Sequence, residues 1–168
     1  MEQLFSLSSI SIDKNITAHS SVVNDIIFLS DKRIATCSED TTIKMFDLYN
    51  NYNCDVTLTG HTKGVRSILE LNKDILVSVS DDKSIIFWKF KNKELRSKLI
   101  IQSTHGGPIT KVIKLRNNLL ATSSNDYTIK IRKSIKPYEP IKRLEKHTDY
   151  VTSIAELDKK DYLIISIF

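Results

Sequence analysis

The chain has 168 residues, of which 40% are hydrophobic and 27% are charged. This balance is ordinary for a globular domain with its own core and excludes a disordered chain. No apolar run reaches the ~18 residues of a membrane-spanning helix, and residues 1–15 lack the regions of a signal peptide. We therefore expect an intracellular protein, cytoplasmic or nuclear, in which Cys37 and Cys54 are free thiols, small residues of the core or the strands.

The formal charge is +5 and the isoelectric point is about 9.1. Such a charge permits a nucleic-acid partner but does not require one. The basic residues are spread along the chain, and the densest run, Lys89–Lys98, includes Glu94. We predict that this run is a solvated loop.

Four histidines recur along the chain at intervals of 42, 44 and 42 residues: His19, His61, His105 and His147. A small hydroxyl residue follows each of the first three at an interval of 17 residues: Thr36, Ser78 and Thr122. Each histidine precedes a segment of alternating apolar and polar residues. A register shared by three units indicates an internal repeat of about 43 residues.

The predicted elements in chain order are an outer strand within 1–18, at Asp13–Thr17, and then four repeats. The repeats span approximately 19–60, 61–104, 105–146 and an incomplete 147–168. An apolar period of two predicts four strands in each complete repeat. Those of the second repeat are predicted at Val65–Leu71, Ile75–Ser80, Ser84–Phe90 and Leu99–Ser103, and the fourth repeat stops in its second strand, Leu163–Phe168.

A four-stranded sheet of this kind has two apolar faces, and stacking against identical neighbours buries both. Repeats of this length predict β-propeller blades. The predicted fold is therefore all-β, a partial propeller of four-stranded antiparallel blades with three complete blades and part of a fourth. Because rings typically have four to eight blades, we expect the chain to be a fragment, a truncated gene product or one part of an assembly. Self-association or another segment would then supply the missing blades.

The repeats resemble those of the WD-repeat (WD40) family, whose units carry a Gly-His pair, a turn Asp and a terminal Trp-Asp. The second repeat matches best, with Gly60-His61, Asp82 and Trp88-Lys89. The first repeat has Phe46 and the third has Arg132 at the tryptophan position. The resemblance covers nearly the whole chain.

The resemblance implies that a hydrogen-bonded network of His, Ser or Thr, Asp and Trp braces each blade. In this sequence the network residues are His19, Thr36, Asp40, His61, Ser78, Asp82, Trp88, His105, Thr122, Asp126 and His147. Ser80 is an alternative to Ser78. The networks of the first and third repeats are expected to be partial, since Phe46 and Arg132 have no indole.

The recurring Ser, His and Asp residues could suggest a hydrolase triad or, with four histidines, a zinc site. A catalytic site is generally single, whereas these residues recur in every complete repeat, and the even histidine spacing places one on each blade. We therefore predict no catalytic residues, no metal and no cofactor.

The resemblance also implies that the loops with the His and the Asp form one face, where WD-repeat proteins contact partners. The candidate partner-binding residues are Asn24, Glu39, Lys63, Arg66, Asp81, Thr110, Asn125, Tyr150 and Thr152. Their mixture of acidic, basic and amide groups favours proteins or peptides. The predicted function is a noncatalytic scaffold or adaptor. The alternatives are an RNA-associated protein and the regulatory or substrate-binding propeller of a larger enzyme, such as a ubiquitin ligase or a kinase.

Overall fold

The structure, a computed structural model, describes residues 16–156 and the backbone of the strand Ile164–Ile167. The described residues form fourteen strands and contain no helix. Accordingly, no helix in this part of the chain is long and apolar enough to cross a membrane. The strands are β1 (Val23–Phe28), β2 (Arg33–Ser38), β3 (Ile43–Asp47), β4 (Cys54–Leu58), β5 (Val65–Asn72), β6 (Ile75–Ser80), β7 (Ile85–Lys91), β8 (Glu94–Ile101), β9 (Ile109–Lys114), β10 (Leu119–Ser124), β11 (Ile129–Lys133), β12 (Pro140–Leu144), β13 (Ser153–Glu156) and β14 (Ile164–Ile167).

The strands form three four-stranded antiparallel sheets and one two-stranded sheet. The sheets are β1–β4, β5–β8, β9–β12 and β13–β14, and within each the spatial order follows the chain order. We call them blades 1 to 4. This arrangement confirms the predicted all-β class, with three four-stranded blades and part of a fourth.

The blades pack face to face in chain order, with an apolar cluster between each neighbouring pair. Met45 and Cys37 of blade 1 join Ile68 and Trp88 of blade 2 in the first cluster. The second cluster joins blades 2 and 3, and the third joins blade 3 to the first strand of blade 4. Since fully burying a large apolar side chain contributes about 1.5–3 kcal/mol, stacking contributes substantially to the stability of each sheet.

Three of the four strands predicted for the second repeat agree with the structure within one residue. The fourth prediction, Leu99–Ser103, is wrong, because β8 begins at Glu94 and ends at Ile101. The loop predicted at Lys89–Lys98 is also wrong: it is the hairpin of β7 and β8, turning at Asn92 and Lys93 with φ angles of 52° and 67°. Its side chains are exposed except for that of Phe90, so the prediction of solvation was correct but that of a loop was not.

Two further predicted strands lie near the ends of the chain. The strand predicted at Asp13–Thr17 lies outside the described residues except for Ile16 and Thr17, which have no regular secondary structure. The strand predicted at Leu163–Phe168 corresponds to β14, which pairs antiparallel with β13.

Candidate functional site

An aspartate closes the turn between the second and third strands in each of blades 1 to 3. In blade 2, Asp82 Oδ1 accepts hydrogen bonds from Ser84 N at 2.9 Å and from Ser84 Oγ at 2.6 Å. The same pair of bonds joins Asp40 to Thr42 and Asp126 to Thr128. The residue after each aspartate has a φ between 67° and 73°: Thr41, Lys83 and Tyr127. The turns are therefore equivalent and hold the second Asp oxygen toward the preceding loop.

His61 connects this turn to the interior of blade 2. Its Nδ1 lies 2.9 Å from Asp82 Oδ2, and its Nε2 lies 2.8 Å from Ser78 Oγ. Trp88 Nε1 donates to Ser78 Oγ at 2.9 Å. Because the indole can only donate, we assign the Ser78 hydroxyl as donor to Nε2 and Nδ1–H as donor to Asp82. One directed chain of hydrogen bonds thus runs from the tryptophan to the turn.

The corresponding histidines of blades 1 and 3 make shorter chains. His19 lies 2.8 Å from both Asp40 and Thr36, while His105 lies 3.0 Å from Asp126 and 2.9 Å from Thr122. In blade 1 the apolar Phe46 ends the chain at the threonine. In blade 3 the tryptophan position is taken by Arg132, which makes no bond to Thr122 among the described contacts; its Nη1 donates to the carbonyl of Tyr138 at 3.3 Å. His147 lies before β13, at the equivalent place in the fourth repeat.

Burial and hydrogen bonding fix the ionisation of these pairs. Burial lowers the pKa of His105 to about 4, although Asp126 opposes the shift. Burial also lowers the pKa of His61. For Asp82 burial opposes ionisation, but bonds from Ser84 and Thr62 and the nearby His61 outweigh it and lower the pKa to about 2. The imidazoles of His61 and His105 are therefore neutral, and Asp82 and Asp126 are charged, near neutral pH.

The Ser78, His61 and Asp82 side chains have the connectivity of a hydrolase triad. Ser78 is fully buried, however, and its Oγ already accepts the indole N–H of Trp88. A nucleophile must reach its substrate, so this geometry favours a bracing role. No group of three or more His, Cys, Asp or Glu residues in the described part of the chain is placed to hold a metal ion.

The two cysteines occupy different environments. Cys37 is buried in β2, and this burial, with Asp25 nearby, raises the pKa of its thiol to about 12. Cys54 is exposed at the start of β4. Both are free, and Cys37 is an unreactive part of the core.

A β-bulge recurs near the start of the first strand in blades 1 to 3. The pairing register skips one residue in each blade: Asn24, Arg66 and Thr110. A bulge redirects the side chain of the extra residue. All three bulge residues therefore turn toward the loops that precede the first strands and toward the Asp turns. We call this side of the blades the loop face.

Arg66 links the loop-face residues of blades 1 and 2. Its Nε and Nη2 donate to the two oxygens of Asp81 at 2.8 and 2.6 Å, and its Nη1 lies 2.6 Å from Glu39 Oε1. Asn24 Nδ2 donates to the carbonyl of Val65 at 2.9 Å. The guanidinium side chain still exposes 38% of its surface. The cluster is thus fixed in place and open to solvent.

The remaining candidates lie along the same face in blades 2 to 4. Thr110 Oγ1 donates to the carbonyl of Val151, next to the exposed Thr152. Tyr150 and Tyr127 are both exposed, and their ring centroids are 5.7 Å apart. Lys63 is exposed, whereas Asn125 is half-buried and its N–H donates to the carbonyl of Pro108. The structure brings Asn24, Glu39, Arg66 and Asp81 together in one cluster.

Sequence reasoning missed Tyr127 and the turn hydroxyls. The position of Tyr127 directly after the turn Asp was the available signal, since a large aromatic residue in such a turn is expected to be exposed; in the structure Tyr127 has a φ of 67°. The residues Thr42, Ser84 and Thr128 repeat two positions after each Asp, a spacing typical of Asx turns. Ser80, considered beside Ser78, instead accepts a bond from the N–H of Asp82 at 3.1 Å.

Known proteins share these repeats. The family described as "WD domain, G-beta repeat" matches residues 11–47 and 52–89. The DDB1- and CUL4-associated factor 10 of Xenopus laevis is 41% identical over 83 residues, which cover 49% of this chain and 18% of the frog protein. The human protein of that name is 42% identical over 72 residues, covering 42% of this chain and 13% of its own.

A second group of relatives is fungal. The nuclear distribution protein PAC1 of Candida albicans is 41% identical over 90 residues, which cover 51% of this chain and 18% of the yeast protein. In all three relatives the matched region is less than a fifth of the protein's length. With the bladed fold and the His–Ser–Asp–Trp chain of blade 2, these matches show that residues 11–47 and 52–89 of this chain are WD repeats.

Proposed function

We propose that the chain is a noncatalytic scaffold or adaptor that binds a peptide or protein domain on its loop face. The observation that carries this proposal is the Arg66 cluster, in which one guanidinium is held by Glu39 of blade 1 and Asp81 of blade 2. Because these side chains are already ordered, a partner that binds them loses little additional conformational entropy on the protein side. The nine predicted residues remain the candidate contacts.

The charge of the loop face supports a protein partner rather than a nucleic acid. Glu39 and Asp81 balance Lys63 and Arg66, and Arg66 is engaged by both acids. A phosphate backbone is bound by an excess of positive charge. The exposed pair of Tyr127 and Tyr150 adds the type of aromatic surface that is enriched at protein interfaces.

A photo-crosslinking amino acid at Tyr150 tests this proposal inside cells. We expect it to capture a protein, and we expect Arg66→Glu or Asp81→Lys to reduce the yield while the circular dichroism spectrum is unchanged. The matched control is the same crosslinker at Tyr49, which exposes 77% of its surface in the turn between β3 and β4. Equal yields at the two positions, or capture of RNA instead of protein, would reject the loop face as the protein-binding site.

A second candidate function is membership of an assembly that contains DDB1 and CUL4. Its support is the name of the frog and human relatives, which describes association with these two proteins. Purified DDB1 and the chain should then form a complex in analytical size exclusion. If no complex forms while the Tyr150 crosslinker still captures another protein, this candidate is rejected and the scaffold function stands.

A further inference from the structure

A groove lies between blades 2 and 3, lined by the end of β8, the segment that follows it, and strands β11 and β12. It has a volume of about 460 Å³. Its lining includes the hydroxyl residues Ser103 and Thr104 and the side chains of Lys130, Arg132, Lys142 and Arg143. Four of these are basic, and none of the described residues that line the groove is acidic. The groove is therefore strongly cationic.

Arg132 is buried in the wall of this groove without a counter-charge. Its exposed fraction is 3%, and its Nε meets no acceptor among the described residues. Its assigned hydrogen bond goes to the neutral carbonyl of Tyr138. Burial lowers the pKa of the guanidinium, and no carboxylate contributes to that shift. A buried cation is costly unless an anion accompanies it.

The other cations of the groove leave this charge uncompensated. Lys130 Nζ donates to the carbonyl of Thr104 at 2.6 Å. Arg143 is paired with Glu145, which lies outside the lining, at 2.5 Å. Burial lowers the pKa of Lys130, and Arg143 and Arg132 add to this shift, whereas Asp126 and Glu145 outside the lining oppose it. The cations are thus close enough to repel one another in the absence of a ligand.

The equivalent position of blade 2 is filled differently. There the large indole of Trp88 is almost completely buried, and Lys98 lies over it with its Nζ 5.8 Å from the ring centre. Lys98 donates to the carbonyl of Thr59 at 2.9 Å. At this position, blade 2 therefore has a buried aromatic ring, whereas blade 3 has a cation beside an open groove.

We propose that the groove between blades 2 and 3 binds a phosphate-type oxyanion through Arg132, with Lys142 and Arg143 at its mouth. The planar guanidinium suits an oxyanion because it can donate several hydrogen bonds in one plane. The oxyanion comes either from free inorganic phosphate or from a phosphorylated side chain of a peptide. This site is separate from the loop face and goes beyond the scaffold function.

The direct measurement is the 15N–Hε resonance of Arg132 during titration of the 168-residue chain. The two probes are inorganic phosphate and a short phosphoserine peptide, each at constant ionic strength. We expect the resonance to shift in a saturable way and Arg132→Trp to weaken binding at least about tenfold, the effect of losing one charge-assisted hydrogen bond. Tighter binding of the peptide identifies a phosphorylated partner, and equal affinities identify free phosphate.

The controls separate a specific site from general attraction to a basic chain. Lys89→Gln removes one exposed charge of β7 outside the groove and should leave the affinity unchanged. If Arg132→Trp does not fold, the pair Lys142→Gln and Arg143→Gln tests the mouth of the groove while Arg132 stays in place. Equal affinity in the wild type and in the groove variants overturns the proposal, as does an equal loss in Lys89→Gln. Neither result bears on crosslinking from Tyr150.

Discussion

Trp88 distinguishes the polar network of blade 2 from those of blades 1 and 3. Its Nε1 donates to Ser78 Oγ in a fully buried site. We expect Trp88→Phe to lower the free energy of unfolding by about 2–4 kcal/mol, because it removes this bond and leaves a cavity beside the serine. Urea denaturation of Trp88→Phe, Ser78→Ala and the double variant measures the coupling. A coupling energy near zero would show that the indole contributes through packing alone.

The buried histidine of blade 3 predicts a pH-dependent stability. The pKa of His105 is about 4 in the folded protein, against the ordinary histidine value of 6.5 in the unfolded chain. The unfolded chain therefore binds the proton more tightly. The stabilisation is fully present above pH 6.5 and is lost as the pH falls toward 4, a change of about 3 kcal/mol for this residue. Asp82 and Asp126, whose pKa values fall to about 2, lose their contribution only at lower pH.

Urea denaturation at several pH values between 4 and 7 checks this expectation. His105→Gln should be less stable at pH 7 and should show a shallower dependence of unfolding free energy on pH. Ile154→Val is the control, since it trims a buried side chain between blades 3 and 4 without removing a titrating group. The same slope in His105→Gln and in the wild type would assign the pH dependence to other residues.

At the scale of elements, the β7–β8 hairpin shows where sequence patterns were insufficient. Its two turn residues, Asn92 and Lys93, both have positive φ, as a type I′ turn requires. Asn favours this conformation but Lys does not, so the turn lacked its usual Asn-Gly signal. Pairing of Glu94 with Lys91, and of the residues beyond, imposes a strand on a segment of low β-propensity.

This hairpin gives a prediction with an internal control. Lys93→Gly should raise the free energy of unfolding by about 0.5–1 kcal/mol, because glycine adopts positive φ without steric cost. Lys91→Gly, two residues earlier in β7, should lower the free energy of unfolding by a similar amount. Glycine gives the unfolded chain more conformational entropy, which is lost when the strand forms. Thermal and urea unfolding of both variants provide the comparison. A loss of stability in both would show that the ion pair of Lys93 with Asp47 outweighs the backbone effect.

The bulges show which part of the candidate site could be predicted from the sequence. The repeat register located Asn24, Arg66 and Thr110 because equal spacing places them at equivalent positions. Their contacts could not be read from spacing, since the partners of Arg66 come from two different blades. Likewise, the sequence predicted that Arg132 would interrupt the network, but the groove beside it depends on how blades 2 and 3 stack.

At the scale of the whole molecule, polar contacts cross the blades as well as apolar ones. Asp25 Oδ2 accepts from Ser67 Oγ of blade 2 at 2.9 Å and from Lys111 Nζ of blade 3 at 3.1 Å. One carboxylate thus joins three blades. Ser30 of blade 1 bonds to Glu70 of blade 2, and Arg116 N of blade 3 bonds to Glu156 of blade 4. These links fix the relative placement of the sheets beyond what non-directional apolar packing specifies.

The first blade presents an apolar face on the side away from blade 2. Ile26 exposes 60% of its surface, whereas its equivalents are almost completely buried against preceding blades. Those equivalents are Ile68, Val112 and Ile154. A groove of about 370 Å³ lies on this face and is lined by Ile26, Ile34 and Phe46 among others. Exposed apolar patches of this kind promote association, so we predict that the 168-residue chain self-associates through blade 1.

Light scattering coupled to size exclusion measures this association against the 19.2 kDa mass of one chain. Ile26→Lys should shift the chain toward the monomer, because burying the new charge against a second apolar surface is unfavourable. Ile135→Lys is the matched control, since Ile135 exposes 70% of its surface between β11 and β12. A discrete dimer would indicate that two chains complete one another's blades, and larger species would indicate that added blades are needed. A wild-type monomer would contradict the prediction, because blade 1 would then tolerate its exposed face without a neighbour.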